Sequence, residues 1–128
     1  MAIQRPISPH ISIYRWELTM VMSIVHRATG GALAASMVLV TWWLAAVATG
    51  GSYYESARQF LASGLGQLLL LAWSFALFYH LCNGIRHLVW DSGRGFAPAT
   101  ARQSGIIVIV CALVLTVIQA YLMLGGAS

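Results

Sequence analysis

Two short segments gather polar side chains that hydrocarbon would penalise, and each has the spacing of a helix face. The first is Ser23-Ile24-Val25-His26-Arg27. Ser23, His26 and Arg27 stand at i, i+3 and i+4, so a helix puts them on one side. Gly30 and Gly31 continue that side one turn further. A guanidinium there can clamp a carboxylate or polarise a carbonyl, and a hydroxyl four residues away reaches the same ligand. The plain alternative is topological: Arg27 snorkels to the membrane surface and Ser23 caps the helix.

The second segment is His80-Leu81-Cys82-Asn83-Gly84-Ile85-Arg86-His87. His80, Asn83, Gly84 and His87 follow at i, i+3, i+4 and i+7, again one face. At 1.5 Å per residue, His80 lies about 10 Å deeper than His87. An ionisable side chain at that depth is a candidate functional residue. Imidazole is an ordinary axial ligand of haem iron, and Gly84 removes a side chain where a flat macrocycle needs room. His87, near the surface, suits a haem propionate, with Asp91 at i+4 to orient it. Two other readings stay open: a histidine hydrogen-bonded between helices, and a proton relay. Spacing leaves His26 open as a second axial ligand to His80. It lies near the end of its helix and His80 lies deeper, so a second ligand from another chain is the better expectation.

The elements that must hold these groups are legible from composition. Of 128 residues, 59% are apolar and 8% charged, against roughly a quarter charged in ordinary soluble domains. Lipid is therefore the expected solvent. Residues 28–54, 59–85 and 103–128 carry no Asp, Glu, Lys or Arg, and each exceeds the roughly 20 residues needed to cross the hydrocarbon layer. The fold expected is all-α and integral to the membrane, a single domain with three transmembrane helices at about 23–49, 64–91 and 104–124 after an N-terminal segment 1–22. Gly50-Gly51 ends the first, Gly93, Gly95 and Pro98 follow the second, and Gly125-Gly126 closes the third. A sheet is disfavoured, because an open strand edge cannot be satisfied in lipid. No internal repeat or low-complexity tract stands out.

The net charge is +4, from seven arginines and no lysine against three acids. These charges flank the apolar runs, which points to membrane topology rather than nucleic acid. Arg5, Arg15 and Arg27 against Glu17 give the N-terminal segment +2. Arg86, Arg94 and Arg102 against Asp91 give the second loop region +2, and Glu55 with Arg58 leaves the first loop neutral. The N-terminus is expected in the cytoplasm and the C-terminus outside it. Trp16, Trp90 and Phe96 then mark one interface, and Tyr53 and Tyr54 the other. Cys82 and Cys111 both fall in apolar runs and are expected to be free, small hydrophobes. No cleavable signal or transit peptide is expected. The sequence lacks CxxCH, a glycine-rich phosphate loop, iron–sulfur cysteine spacing and a Ser/His/Asp hydrolase pattern. No intramembrane carboxylate lies outside Asp91, which weakens an ion-transporter reading.

Arg5-Pro6-Ile7-Ser8-Pro9-His10, then Ile13-Tyr14, then Ser23-Ile24-Val25-His26-Arg27 with Thr29-Gly30, resembles the cytochrome b large membrane-anchor subunits of succinate dehydrogenase. Tyr79-His80, Asn83-Gly84-Ile85-Arg86-His87-Leu88, Trp90-Asp91 and Gly93 resemble the second-helix signature of the same family. The version here looks closest to mitochondrial and alphaproteobacterial members. The resemblance implies a helical bundle completed by a small membrane-anchor subunit, within a respiratory complex II that adds an iron–sulfur subunit and a flavoprotein subunit. It implies haem b shared between the two anchors, with His80 as one axial ligand, and ubiquinone as substrate. It assigns Ser23 and Arg27 to the quinone site, with Trp16, Met20 and Ile24 lining it. It puts His26, Arg27 and His87 near the haem propionates, and it implies a bacterial inner membrane. A trimer of such complexes is compatible with it. A quinol-oxidising fumarate reductase anchor runs the same machinery in reverse, and a non-redox membrane protein with buried histidines is the other class.

Overall fold

The computed structural model describes residues 7–125. Arg5 and Pro6 of the opening motif, and Gly126 at the close of the third span, lie outside the described residues. A single turn of helix, α1 (His10–Ile13), follows Pro9. The long helices are α2 (Leu18–Thr49), α4 (Gly64–Asp91) and α5 (Pro98–Gly125), with a shorter α3 (Gly51–Ala62) between the first two. All the described secondary structure is helical. Three of the helices are long and apolar enough to cross a membrane, and the chain is a multi-pass membrane protein.

Two helices start earlier than the charge pattern suggests. α2 begins at Leu18 rather than Ser23, with Glu17 at its N-cap position. Leu18-Thr19-Met20-Val21-Met22 holds no breaker, and a carboxylate is favourable at the positive end of a helix. Ser23 therefore sits inside the helix and does not cap it. α5 begins at Pro98 rather than Ser104, because proline suits a first helical position, where an N–H would be unpaired in any case. Arg102 is thus carried on the first turns of α5. With 32 residues, α2 is about 48 Å long. That exceeds the roughly 30 Å hydrocarbon layer, so the ends of these helices stand in the headgroup region, where charge is tolerated.

The third departure is α3, in a stretch the charge count treats as loop. Gly50 and Gly51 both take positive φ, 69° and 59°, and turn the chain sharply after α2. The residues that follow include Glu55, Ala57, Arg58, Gln59 and Leu61, which are good helix formers. Arg58 and Glu55 pair at 2.8 Å on the outer side, while Ala57 is fully buried against the bundle. A polar outer face over an apolar inner one suits a helix lying at the membrane surface. Ser63 closes the corner into α4: its hydroxyl donates to the Phe60 carbonyl at 2.6 Å and accepts from the Gly66 N–H at 3.2 Å.

α2, α4 and α5 run alternately up and down, and α4 packs against both others. The core is small. Met22, Tyr79, Val108 and Ala112 form its buried centre, with Leu18, Val25, Phe75, Phe78, Cys82 and Ile109 around it. The Tyr79 hydroxyl donates to the Met22 carbonyl at 2.9 Å, locking α4 to α2. Gly105 lets α5 close on the same place, since a Cβ there would lie 2.6 Å from Met22 Sδ. Outside this centre the helices expose Leu, Ile and Val side chains, such as Val117 and Leu68, as lipid or a partner helix requires.

Gly66 is the tightest backbone position. A Cβ there would collide with the Phe60 carbonyl and stand 2.7 Å from Leu61 Cα. Gly66→Ala should lower the thermal midpoint of the detergent-purified protein, by the equivalent of about 1–3 kcal/mol for an overpacked site. Gly64→Ala, where a Cβ meets nothing within 4 Å, should not. Equal midpoints for the two would show that the α3–α4 corner is not sterically fixed.

Candidate functional site

The start of α2 and the end of α4 lie side by side, and that brings three histidines together. His26 and His80 stack with ring centroids 3.9 Å apart and planes 10° apart. His87 tilts against His26 at 5.0 Å and meets the Trp90 ring edge-on at 5.2 Å. His26 and His80 are therefore level with each other, although the sequence places His80 deeper. Two rings in face-to-face contact leave no space for a macrocycle between them, so His26 as placed is not a second axial ligand opposite His80. The Nδ1 of His26 is buried without a hydrogen-bond partner among the described residues.

The contacts around His80 assign the tautomer of a neutral ring. Its Nδ1 lies 3.2 Å from the His26 carbonyl oxygen and 3.3 Å from Thr29 Oγ1. A carbonyl can only accept, so Nδ1 carries the hydrogen and donates. In a neutral imidazole the lone pair then sits on Nε2, the arrangement a metal ligand needs. Thr29 donates its own hydroxyl hydrogen to the same carbonyl at 2.9 Å. Beside them, a Cβ on Gly30 would lie 2.9 Å from His80 Cε1, so only glycine allows this approach. At Gly84 a Cβ would meet nothing within 4 Å, and the α4 surface there is open.

His87 is held by Asn83, not by Asp91. Asn83 Nδ2 lies 3.4 Å from His87 Nε2, while Asp91 is exposed. Asn83 is itself fully buried and accepts from Arg86 Nη1 at 3.3 Å. Arg86 then spans to α5. Its Nε donates to Ser104 Oγ at 2.9 Å, its Nη2 to the Ala101 carbonyl at 2.8 Å, and its guanidinium carbon stands 4.0 Å over the Trp90 ring. Only 6% of Arg86 is exposed. Sequence reasoning counted Arg86 as one of the topological charges and passed over Thr29 except as part of a motif. The available signal was their helical phase: Arg86 follows Asn83 by three residues, and Thr29 follows His26 by three.

The Ser23–Arg27 half of the first segment turns the other way. Arg27 is exposed and folds back on its own helix, with Nη2 donating to Ser23 Oγ at 3.3 Å and Nε to the Ser23 carbonyl at 3.4 Å. Ile24 beside them is also exposed. Near the start of α2, Tyr14 packs edge-on against Trp16 at 6.3 Å, and its hydroxyl donates to Met20 Sδ. Ser23, His26 and Arg27 are thus not one face: His26 joins the histidine cluster, and Ser23 with Arg27 forms a separate polar spot on the outer side of α2. Among the described residues no carboxylate hydrogen-bonds the histidines, Arg27 or Arg86. Such a cationic setting stabilises an anionic or electron-rich group. No cluster of three His, Cys, Asp or Glu side chains suited to a metal ion occurs among them.

Residues 1–119 match the profile of the family described as succinate dehydrogenase/fumarate reductase transmembrane subunit. The chain is 42% identical over 115 residues to the succinate dehydrogenase cytochrome b556 subunit of Rickettsia felis, covering 90% of each. It is 41% identical over 114 residues to the protein of the same name from Paracoccus denitrificans, covering 89% and 88%. It is also 48% identical over 113 residues to the mitochondrial succinate dehydrogenase cytochrome b560 subunit of Bos taurus, covering 84% of this chain and 65% of that protein.

Arg86→Met should remove the tie between α4 and α5 and leave Asn83 Oδ1 buried without its donor. The expected loss is about 1–3 kcal/mol, read as a lower thermal midpoint of the detergent-purified protein. An unchanged midpoint would mean that the guanidinium does not hold these helices together.

Proposed function

The chain belongs to the succinate dehydrogenase/fumarate reductase transmembrane subunit family, and from that premise we propose that it is the large anchor of a succinate dehydrogenase, holding haem b and part of the ubiquinone-reduction site. Its relatives are named as cytochrome b subunits of succinate dehydrogenase, and a membrane-anchor cytochrome b role follows. The observation that carries the finer reading is the His80 contact. Its Nδ1–H is spent on the His26 carbonyl, which leaves Nε2 as a ligand.

The residues present fit a haem. His80 would supply a nitrogen ligand to the iron, and the open surface at Gly84 would leave room for a planar group. His87 and the Nδ1 of His26, which has no partner among the described residues, are donor groups suited to the propionates, while Arg27 on the outer side of α2 belongs to the quinone site in this reading. Because His26 stacks on His80, it would not hold the group from the opposite side, and a further ligand would come from the small anchor subunit. When bound, haem b supplies a one-electron carrier within the membrane.

The quinone site in this reading is the outer spot on α2. Ser23 and Arg27 bind a quinone carbonyl, with Ile24, Met20 and Trp16 against the ring. Reduction adds two electrons, from succinate by way of the flavoprotein and iron–sulfur subunits, and two protons, giving the quinol. Arg27 stabilises the negative charge that gathers on the oxygen before it is protonated, and Ser23 orients that oxygen. Arg15, Arg27, Arg86, Arg94 and Arg102 all belong to the end where α2 and α5 begin and α4 finishes. An excess of arginine marks the cytoplasmic side. We therefore assign this end to the cytoplasm of a bacterial inner membrane, where the soluble subunits would dock, with the C-terminus on the periplasmic side.

Two measurements test this. A reduced-minus-oxidised spectrum of the purified native complex should show a b-type band that His80→Leu abolishes or strongly weakens; full haem occupancy in the mutant would sink the ligand assignment. Arg27→Ala should slow quinone reduction about 10- to 100-fold, the kinetic equivalent of one hydrogen bond from a charged group at about 1.5–3 kcal/mol. Succinate oxidation by an artificial dye should be spared. Normal quinone reduction in Arg27→Ala would reduce Arg27 to a topological charge.

A further inference from the structure

We propose that Thr29 and Gly30 on α2 form the seat of the His80 imidazole, with Thr29 as a positioning residue whose hydroxyl oxygen shares the Nδ1–H that the His26 carbonyl orients. This rests on His80 being the haem ligand. Three distances close a triangle: Thr29 Oγ1 to the His26 carbonyl at 2.9 Å, His80 Nδ1 to the same carbonyl at 3.2 Å, and His80 Nδ1 to Thr29 Oγ1 at 3.3 Å. Only one assignment of hydrogens satisfies it. The hydroxyl donates to the carbonyl, and Nδ1–H is shared between the carbonyl and the hydroxyl oxygen. Were Nδ1 unprotonated, its lone pair would face that of the carbonyl.

The seat has a steric half as well. The His80 ring edge rests over Gly30, where a Cβ would stand 2.9 Å from Cε1. Gly31 next to it has open space. A methyl group at Gly30 can be accommodated only by moving the ring. In a haem-free chain this costs little, but in a ligand it swings Nε2 away from the position set by Nδ1. Together the two residues direct the donor nitrogen from a neighbouring helix, as outer-shell hydrogen bonds do for metal-bound histidines.

Haem loss to an acceptor protein and the haem midpoint potential are the readouts, taken on the purified native complex, with assembly followed by succinate–dye activity. Thr29→Val keeps the shape and removes the hydroxyl. It should speed haem loss about 10-fold or more, in line with outer-shell substitutions, and raise the potential, because a ligand with a weaker Nδ1 hydrogen bond is less basic. Thr29→Ser should restore both, and Gly30→Ala should speed haem loss where Gly31→Ala does not. Wild-type haem retention and potential in both Thr29→Val and Gly30→Ala would overturn the seat. His80→Leu beside them separates the two ideas: if that mutant keeps its haem, the ligand assignment fails; if it loses haem while Thr29→Val and Gly30→Ala behave as wild type, only the seat fails. Should Gly30→Ala not assemble, the Val/Ser pair at Thr29 decides alone.

Discussion

A backbone carbonyl that can only accept is the constraint on which the site depends. The His26 oxygen draws both Thr29 Oγ1 and His80 Nδ1 to itself. It belongs to α2, and the ring it orients belongs to α4. The orientation of the His80 imidazole is therefore set by how two helices pack, not by its own neighbours in the chain. In a low-dielectric interior such contacts carry more weight than in water, and an unmet one costs more. The Tyr79 hydroxyl on the Met22 carbonyl repeats the device one turn away, so the same interface is pinned twice by backbone acceptors of α2.

Arg86 shows how the chain accommodates a cation below its surface without an acid. Its guanidinium reaches an amide oxygen, a hydroxyl and a backbone carbonyl and lies over an indole. Each partner is a dipole or a π face, so the net positive charge remains. That charge, with Arg27, Arg94 and Arg102 at the same end, biases this end of the bundle toward anionic and electron-rich ligands. The opposite end carries the neutral Glu55–Arg58 pair on α3 and has no comparable bias. The two ends of the bundle therefore differ in charge.

Composition and charge spacing alone gave the membrane solvent and the three spans, and they gathered the polar groups onto α2 and α4. Lipid permits long apolar helices and penalises stray charge, so the pattern has few solutions. Sequence spacing also put His80, Asn83, Gly84 and His87 on one face of a helix, and the family motifs carried the rest of the identity. It did not determine the helix starts at Leu18 and Pro98 or the existence of α3. Charge-free stretches mark where lipid can lie, not where a helix starts, and at these ends local propensity decides.

Only the tertiary structure decided which way each polar group turns. Arg27 and Arg86 are the same residue type at the same end of the bundle, yet one is exposed and the other 6% exposed. Ser23, His26 and Arg27 span little more than one turn, which is wide enough to divide between two surfaces. His26 and His80 meet because two antiparallel helices bring residues 54 positions apart to one level. Helical spacing fixes an angle around one axis. The rotation and height of one helix against another come from Met22 against Gly105 and Tyr79 and from Gly30 against His80, and no single-helix pattern contains them.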